Sequence, residues 1–350
     1  YKSRSRYQKW VFGENVVKWV MKIAFFGVKN WEKKIIEEQI TNLENFGIGI
    51  FESEVQDDLE LAAQYEILSV FIYSRIDKKT LDKLPNLRMI ATRSTGFDHI
   101  DMDECKKRNI IVETVPVYGS RTVAEYTIGL MLAVAKNIVE SDEALQDDEF
   151  SPEGLTGIDL YKKTLGIVGL GKIGSNVAKV ARAMGMKIVA MDKNPNLKIV
   201  KRYKIEMVGL KELLQRSDVV SLHVPAIKET YHLINRDTVK LMKPGSILIN
   251  TSRGAVVESA AVVWALDKGI LRGAGLDVVE EEDKVESLAM ILSQQPKKED
   301  LQDLLSYHML RDRSDVVFTP HNAFNTEEAI GRIIKTTIDN IKNFLKTNQK

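Results

Sequence analysis

The chain has 350 residues, 44% apolar and 28% charged, and its 50 basic and 49 acidic side chains leave a formal charge of +1. That length exceeds one ordinary core and suits two domains, while the even charge argues against nucleic acid or an acidic membrane surface as the main partner. No apolar run approaches the ~20 residues that span a bilayer, and the single cysteine, Cys105, has no intramolecular disulfide partner, which fits a reducing, cytoplasmic compartment.

Residues 1–20 are basic, lack an apolar core and read as an upstream extension or expression remnant outside the fold. Met21 opens "MKIAFFGV", a first strand, and a helical stretch follows over 31–46. The runs "IGIFES", "ILSVFIY", "LRMIATRS" and "IIVETV" then alternate with helical segments such as "DKKTLDKLP" and "DMDECKKRN". Short, continuous apolar strands between helices imply a parallel sheet covered on both faces. Residues 120–145 form one long helical run with an apolar middle, suited to a buried core or to a second subunit, and predict a homodimer. Pro152 and Gly154 mark a loop.

A second alternation runs through "TLGIVG", a helix over 173–184, "KIVAMD", "DVVSLHV", "SILINTS", "GAGLDVV" and "DVVFTP". Between the last two, residues 283–312 are charged and read as an insertion with one or two short helices. After the final strand, Asn325 and Glu328 resemble a capping pair, and Ile330, Ile333, Ile334, Ile338, Ile341, Phe344 and Leu345 hold helical spacing. That helix needs a sheet to cover, and the N-terminal unit is the candidate. The chain then divides into 21–119 with 322–350, and 120–321, two doubly wound α/β domains with a cleft between them.

"TLGIVGLGKIG" sets Gly169, Gly171 and Gly174 in G-x-G-x-x-G spacing, with Lys172 and Ile173 inside the motif, a strand before it and a helix after it. Such a turn lets a pyrophosphate approach the backbone at a helix N-terminus. Asp192 ends the next strand, where a carboxylate accepts from both ribose hydroxyls and repels a 2′-phosphate, favouring NAD. Three more polar positions follow strands: Arg253 in "INTSRGAVVE", Asp277 with Glu280, Glu281 and Glu282 in "GLDVVEEE", and His321 in "TPHNAFNT". A guanidinium binds a carboxylate bidentately, and an imidazole moves a hydroxyl proton near neutrality. Together they suit hydride transfer at a carbon bearing oxygen. His223 in "SLHVP" competes with His321 on the same grounds, and residue pattern alone does not separate them.

"RSTGFDHID", "VPVYGSRTVAEYTIG", "GIVGLGKIG", "SLHVP", "INTSRGAVVE", "GAGLDVVEEE" and "TPHNAFNT" occur in an order that resembles the D-isomer-specific 2-hydroxyacid dehydrogenases, most closely their D-lactate dehydrogenase branch. The resemblance covers the chain from Met21 onward. It implies a flavodoxin-like substrate domain, a Rossmann domain binding NAD, and a small 2-keto or 2-hydroxy acid substrate, with no metal. It also implies a catalytic trio of Arg253, Glu282 and His321, with Asp277 beside the nicotinamide. Val224, Pro225, Thr251 and Ser252 would border the cofactor. The Thr95 and Gly96 amides would share the substrate carboxylate with Arg253, and Tyr73, Tyr118 and Phe324 would line the pocket. Val279 and Asp283 stand where many members have an aromatic and a proline, which leaves Glu280 and Glu281 as competitors of Glu282. The implied activity is interconversion of pyruvate and D-lactate. A bulkier 2-keto acid of the 2-hydroxyisocaproate type, or an NAD(H)-sensing module without turnover, are the rival readings.

Overall fold

The computed structural model describes residues 21–43, 46–280 and 298–348, so the upstream extension and Glu282 lie outside the described residues. The chain divides between Tyr118 and Gly119 and again between Asn325 and Thr326.

In the first unit, β1 (Lys22–Phe25), β2 (Gly47–Ile50), β3 (Ile67–Val70), β4 (Met89–Thr92) and β5 (Ile111–Glu113) make a parallel sheet in the order β2-β1-β3-β4-β5. Alternate residues serve opposite faces, as a period of two dictates. Ile23 and Phe25 enter one core, while Ala24 and Phe26 enter the other. The terminal helix Glu327–Asn348 belongs to this unit, and its Ile330, Ile334, Ile338 and Ile341 pack on Ile23, Phe25, Ile67 and Met89.

That helix starts differently from the sequence expectation. The Oγ1 of Thr326 accepts from the Ala329 N–H at 3.3 Å, whereas Asn325 donates its amide to Asn322 Oδ1 at 2.8 Å. Thr326 is therefore the N-cap, and the Asn325–Glu328 capping pair does not form because Asn325 is held in the preceding turn. The second crossing also falls after Asn325 rather than after His321. Asn322 and Ala323 donate their N–H groups to Asp277 of the second unit, which keeps the turn there.

The second unit holds β6 (Thr164–Val168), β7 (Lys187–Met191), β8 (Glu206–Met207), β9 (Val219–Leu222), β10 (Ser246–Asn250), β11 (Leu271–Leu276) and β12 (Val316–Phe318). All are parallel, in the order β12-β11-β10-β9-β6-β7-β8. On β10, Ile247 and Ile249 face one core and Leu248 the other. The short edge strand β8 carries no apolar run and is not visible in the sequence pattern.

The long helical run breaks in two. Ser120–Lys136 buries Ala124, Ile128, Met131 and Val134 with Ile167 and Ile249. At Asn137 the chain turns left-handed (φ 50°), and Ile138–Gln146 continues at a 62° bend. Asparagine tolerates that conformation better than most residues. Of the 283–312 insertion, residues 283–297 lie outside the described residues, and the described part holds a 14-residue helix, Lys298–Arg311. Its Leu310 is buried with Leu266 and Leu276, and Tyr307 meets Phe318 edge-on at 5.4 Å, so tertiary packing lengthens it.

Candidate active site

Each glycine after β6 has its own physical reason. Gly169 has φ +95°, and a Cβ there would lie 2.5 Å from the carbonyl oxygen of His223. A Cβ on Gly174 would lie 2.1 Å from the Gly169 carbonyl oxygen, so the helix Lys172–Ala183 packs on the turn only without one. Gly171 faces open space, with nothing within 4 Å of a built Cβ, and its helix begins without a side-chain cap. A helix N-terminus with unspent N–H groups behind an open glycine is a cradle for phosphate. Asp192 accepts from the Leu170 N–H at 2.6 Å and the Asn194 N–H at 2.7 Å, which fixes its carboxylate at the end of β7. Val224 crowds Gly169 beside His223, and Thr251 Oγ1 shares a hydrogen bond of 2.8 Å with Thr127 Oγ1.

Arg253, Asp277 and His321 follow β10, β11 and β12, three adjacent strands, so they share one carboxyl edge. In the Arg253 turn, Asn250 Oδ1 accepts from the N–H and hydroxyl of Ser252, while its Nδ2 donates to the Arg253 carbonyl at 3.1 Å. The guanidinium donates to the Ser252 carbonyl at 2.7 Å. Gly254 is obligatory, because a Cβ would fall 1.8 Å from the Val279 carbonyl oxygen.

Asp277 is 1% exposed. One carboxylate oxygen accepts from Thr319 Oγ1 at 2.6 Å and the Asn322 N–H at 2.7 Å, and the other from the Ala323 N–H at 2.9 Å. Its carbonyl accepts from the His321 N–H at 2.8 Å, and its own N–H donates to Asn250. Burial pushes the Asp277 carboxyl above its ordinary range, against those donors and the neighbouring His321. His321 itself is held at φ +49°, a left-handed backbone rare outside glycine. The Asp277 carboxylate thus anchors the His321 turn, while its backbone N–H ties it to the carbonyl of Asn250, whose side chain holds the Arg253 turn. Sequence reading missed Asn250 and Thr319, although a polar residue closing an apolar strand before Thr-Ser or Pro-His is the signal that marks such anchors.

The competing histidine is of another kind. His223 Nε2 shares a hydrogen bond of 2.9 Å with Ser221 Oγ, and its sealed Nδ1 has no partner among the described residues. Burial lowers its pKa to about 3, so the ring stays neutral across the range where a proton carrier must titrate. Glu280 leaves the competition for the acid. One of its oxygens pairs with His232 Nε2 and the other accepts from the Ser259 N–H at 2.6 Å, capping the helix Ser259–Asp267. Cys105 is buried, with its thiol pushed up to about 11, and is inert packing.

In the first unit, the N–H groups of Thr95 and Gly96 donate to no acceptor among the described residues, while the Thr95 hydroxyl is tied to the Val115 carbonyl at 2.7 Å. Tyr73 meets Phe71 edge-on at 5.7 Å, with Lys29 Nζ 5.8 Å above its ring. The Tyr118 carbonyl accepts from Arg332 at 2.7 Å. Phe324, in the second unit, lies edge-on to His321 at 6.4 Å.

Residues 128–323 match the family model described as "D-isomer specific 2-hydroxyacid dehydrogenase, NAD binding domain". The chain is 32% identical to a D-lactate dehydrogenase of Escherichia coli over 329 residues, 93% of this chain and 97% of that protein. It is 39% identical to a glyoxylate reductase of Thermofilum pendens over 292 residues, 80% of this chain and 78% of that protein. A solved structure of D-lactate dehydrogenase from Aquifex aeolicus, complexed with NAD and lactic acid, superposes with a TM-score of 0.83 at 34% identity, covering 93% and 96% of the two chains.

Proposed function

This chain belongs to the D-isomer-specific 2-hydroxyacid dehydrogenases, and on that premise we propose that it is an NAD-dependent D-lactate dehydrogenase interconverting pyruvate and D-lactate. The observation that carries the reading is the shared carboxyl edge of β10, β11 and β12, where Asn250 holds the Arg253 turn and buried Asp277 holds the His321 turn. NAD, when bound in the Gly169–Gly174 cradle with its ribose at Asp192, supplies or accepts the hydride. Arg253 holds the substrate carboxylate as a bidentate donor, and His321 gives the hydroxyl its proton or takes it away. Glu282 is the partner we assign to the imidazole from the family resemblance, with Glu281 its remaining competitor, since Glu280 is committed to His232 and Ser259. In the first unit, the unspent Thr95 and Gly96 amides are further donors to the carboxylate, and Tyr73 and Tyr118, with Phe324 of the second, favour a small substrate.

A homodimer in the cytoplasm completes the proposal. Exposed Ile138, Val139, Leu145 and Phe150, on and just beyond the helix Ile138–Gln146, are apolar positions that a second copy would cover, and the lone buried cysteine suits a reducing compartment.

The similarity to glyoxylate reductases supports a second reading, reduction of glyoxylate by the same residues. One assay separates the readings: NADH oxidation with pyruvate, glyoxylate and 2-ketoisocaproate in parallel. Highest kcat/KM on pyruvate supports the lactate reading, and preference for either other acid replaces it. No turnover on any of them leaves the NAD(H)-sensing module.

A further inference from the structure

Arg93 is the largest fully buried side chain of the first unit, at 0% exposure, and no step of the reaction uses it. Its guanidinium spends its donors on strand ends. Nη2 donates to the carbonyls of Phe26 at 2.9 Å and Gly27 at 3.1 Å, just beyond β1. Nη1 donates to the carbonyl and hydroxyl of Ser69 in β3, at 3.3 and 3.2 Å. Nε faces Glu32 Oε1 at 3.4 Å, and the other oxygen of Glu32 accepts from the Lys29 N–H at 3.1 Å. Glu54 adds a second carboxylate to the group, hydrogen-bonded by Ser74 Oγ at 2.6 Å.

In the order β2-β1-β3-β4-β5, the sequence reverses between β1 and β3. A crevice at that switch point is where open α/β sheets of this order take their ligands. Here the Arg93 guanidinium spans the ends of those two strands and fills the place itself. Its backbone extends β4, with the Arg93 N–H on Val70 and the Ser94 carbonyl on the Val115 N–H, each at 2.8 or 2.9 Å. Two residues later come Thr95 and Gly96 with their unspent amides. Ser94 Oγ donates to the Gly96 carbonyl at 2.6 Å and shares a bond of 2.7 Å with Thr92 Oγ1, so the turn is tied internally to the end of β4.

We propose that Arg93 is a positioning residue for substrate: pinned across the ends of β1 and β3, it fixes the end of β4 so that the Thr95 and Gly96 N–H groups stay aimed at a substrate carboxylate. The inference rests on the reading that these two amides bind that carboxylate. The two terminal nitrogens of a planar fork reach these four acceptors at once while Nε stays in ion-pair range of Glu32, and an ammonium cannot reach them together. The set includes carbonyls from two strands, so a change at residue 93 is transmitted to the turn rather than absorbed by solvent.

The test uses the full chain with NADH and pyruvate. Arg93→Lys should raise KM for the 2-keto acid about tenfold, leave the Kd for NADH within about twofold and lower kcat by less than about threefold. Ser69→Ala, which removes one acceptor and keeps the cation, should raise KM about two- to threefold, and it decides the matter if Arg93→Lys does not fold. An unchanged KM with fewer active sites or a lower melting temperature would mean a merely structural ion, and would overturn the proposal. Thr95→Pro deletes one of the two N–H groups and serves as the control on the underlying reading. If it raises KM while Arg93→Lys and Ser69→Ala do not, positioning by Arg93 is refuted and the carboxylate reading stands. If Thr95→Pro leaves KM unchanged, the carboxylate reading itself fails and the proposal with it.

Discussion

Replacing His223 by glutamine should make the protein less sensitive to acid. The ring is held by Ser221, its Nδ1 is sealed, and burial lowers its pKa from 6.5 to about 3. The unfolded chain takes up a proton near 6.5, so between those values the unfolded state binds more protons than the folded one. For a depressed histidine, the folded state is therefore at full strength above about pH 6.5 and loses stability as pH falls through the window toward 3. At about 1.36 kcal/mol per unit, the loss reaches about 2 kcal/mol at pH 5 and about 3.4 kcal/mol at pH 4. Glutamine does not titrate and can still bond to the Ser221 hydroxyl. The assay compares urea midpoints of both proteins at pH 7.5 and pH 5. The native protein should lose about 2 kcal/mol more than the variant over that interval. NMR of the labelled imidazole should show no titration of His223 down to pH 5. Equal losses in the two proteins, or a ring titrating near 6.5, would refute the burial argument and return His223 to candidacy as the proton carrier.

His321→Ala should cut kcat by about 10²–10⁴ while sparing NADH binding, measured by steady-state rates and fluorescence titration. A variant that keeps full activity would remove His321 from the mechanism. The motif glycines should separate fold from binding. Gly171→Ala meets nothing within 4 Å and should melt normally yet bind NADH at least about tenfold more weakly, whereas Gly174→Ala, 2.1 Å from a carbonyl oxygen, should lose about 2 kcal/mol or more. Calorimetry and NADH titration read the two effects, and equal behaviour of the two variants would contradict the cradle. Asp277→Ala strands the Thr319 hydroxyl and the Asn322 and Ala323 N–H groups, so stability should fall by about 3 kcal/mol or more. Turnover should fall with it as the His321 turn loosens. A variant with native kcat would show that His321 is positioned by something else.

The strand ends were legible because local pattern determines them. An apolar run closed by Gly, Asp or Pro says where a parallel strand stops, and in both sheets it stops where polar residues gather. The glycine turn was legible for the same reason, since its spacing encodes local backbone geometry. What the pattern hides is long-range pairing. Asp277 bonds to groups more than forty residues away, and no local signal separates a carboxylate facing cofactor from one that builds a turn. Glu280 opens a run of three glutamates that reads as a solvated face, yet it caps one helix and pairs with His232. The break at Asn137 hides inside an apolar helical run, because only the backbone angle distinguishes a tolerated asparagine from a terminating one. His223 and His321 look alike in sequence, each following a strand, and what separates them is long-range: the sealed Nδ1 of one ring and the Asp277-held turn that carries the other.

Both units use a buried ion to aim a strand-end turn. In the second, Asp277 at 1% exposure holds the His321 turn, and in the first, Arg93 at 0% exposure holds the turn carrying Thr95 and Gly96. Burying a charge costs several kcal/mol before its partners repay it, and an apolar side chain of similar volume often does as well for stability. Stability alone therefore gives little reason to keep either ion. An apolar replacement would leave its acceptors or donors to find new geometry, and the turns ahead of them would shift by tenths of an ångström. Shifts of that size matter little to a core and a great deal to a hydride acceptor and a proton carrier, where misplacement by about 1 Å can cost about 10²-fold in rate. A selection for melting temperature should thus tolerate apolar residues at 93 or 277 with compensating neighbours, while a selection for turnover should return arginine and aspartate. Recovery of apolar residues at both positions under selection for turnover would show that the ions serve the fold and not the chemistry.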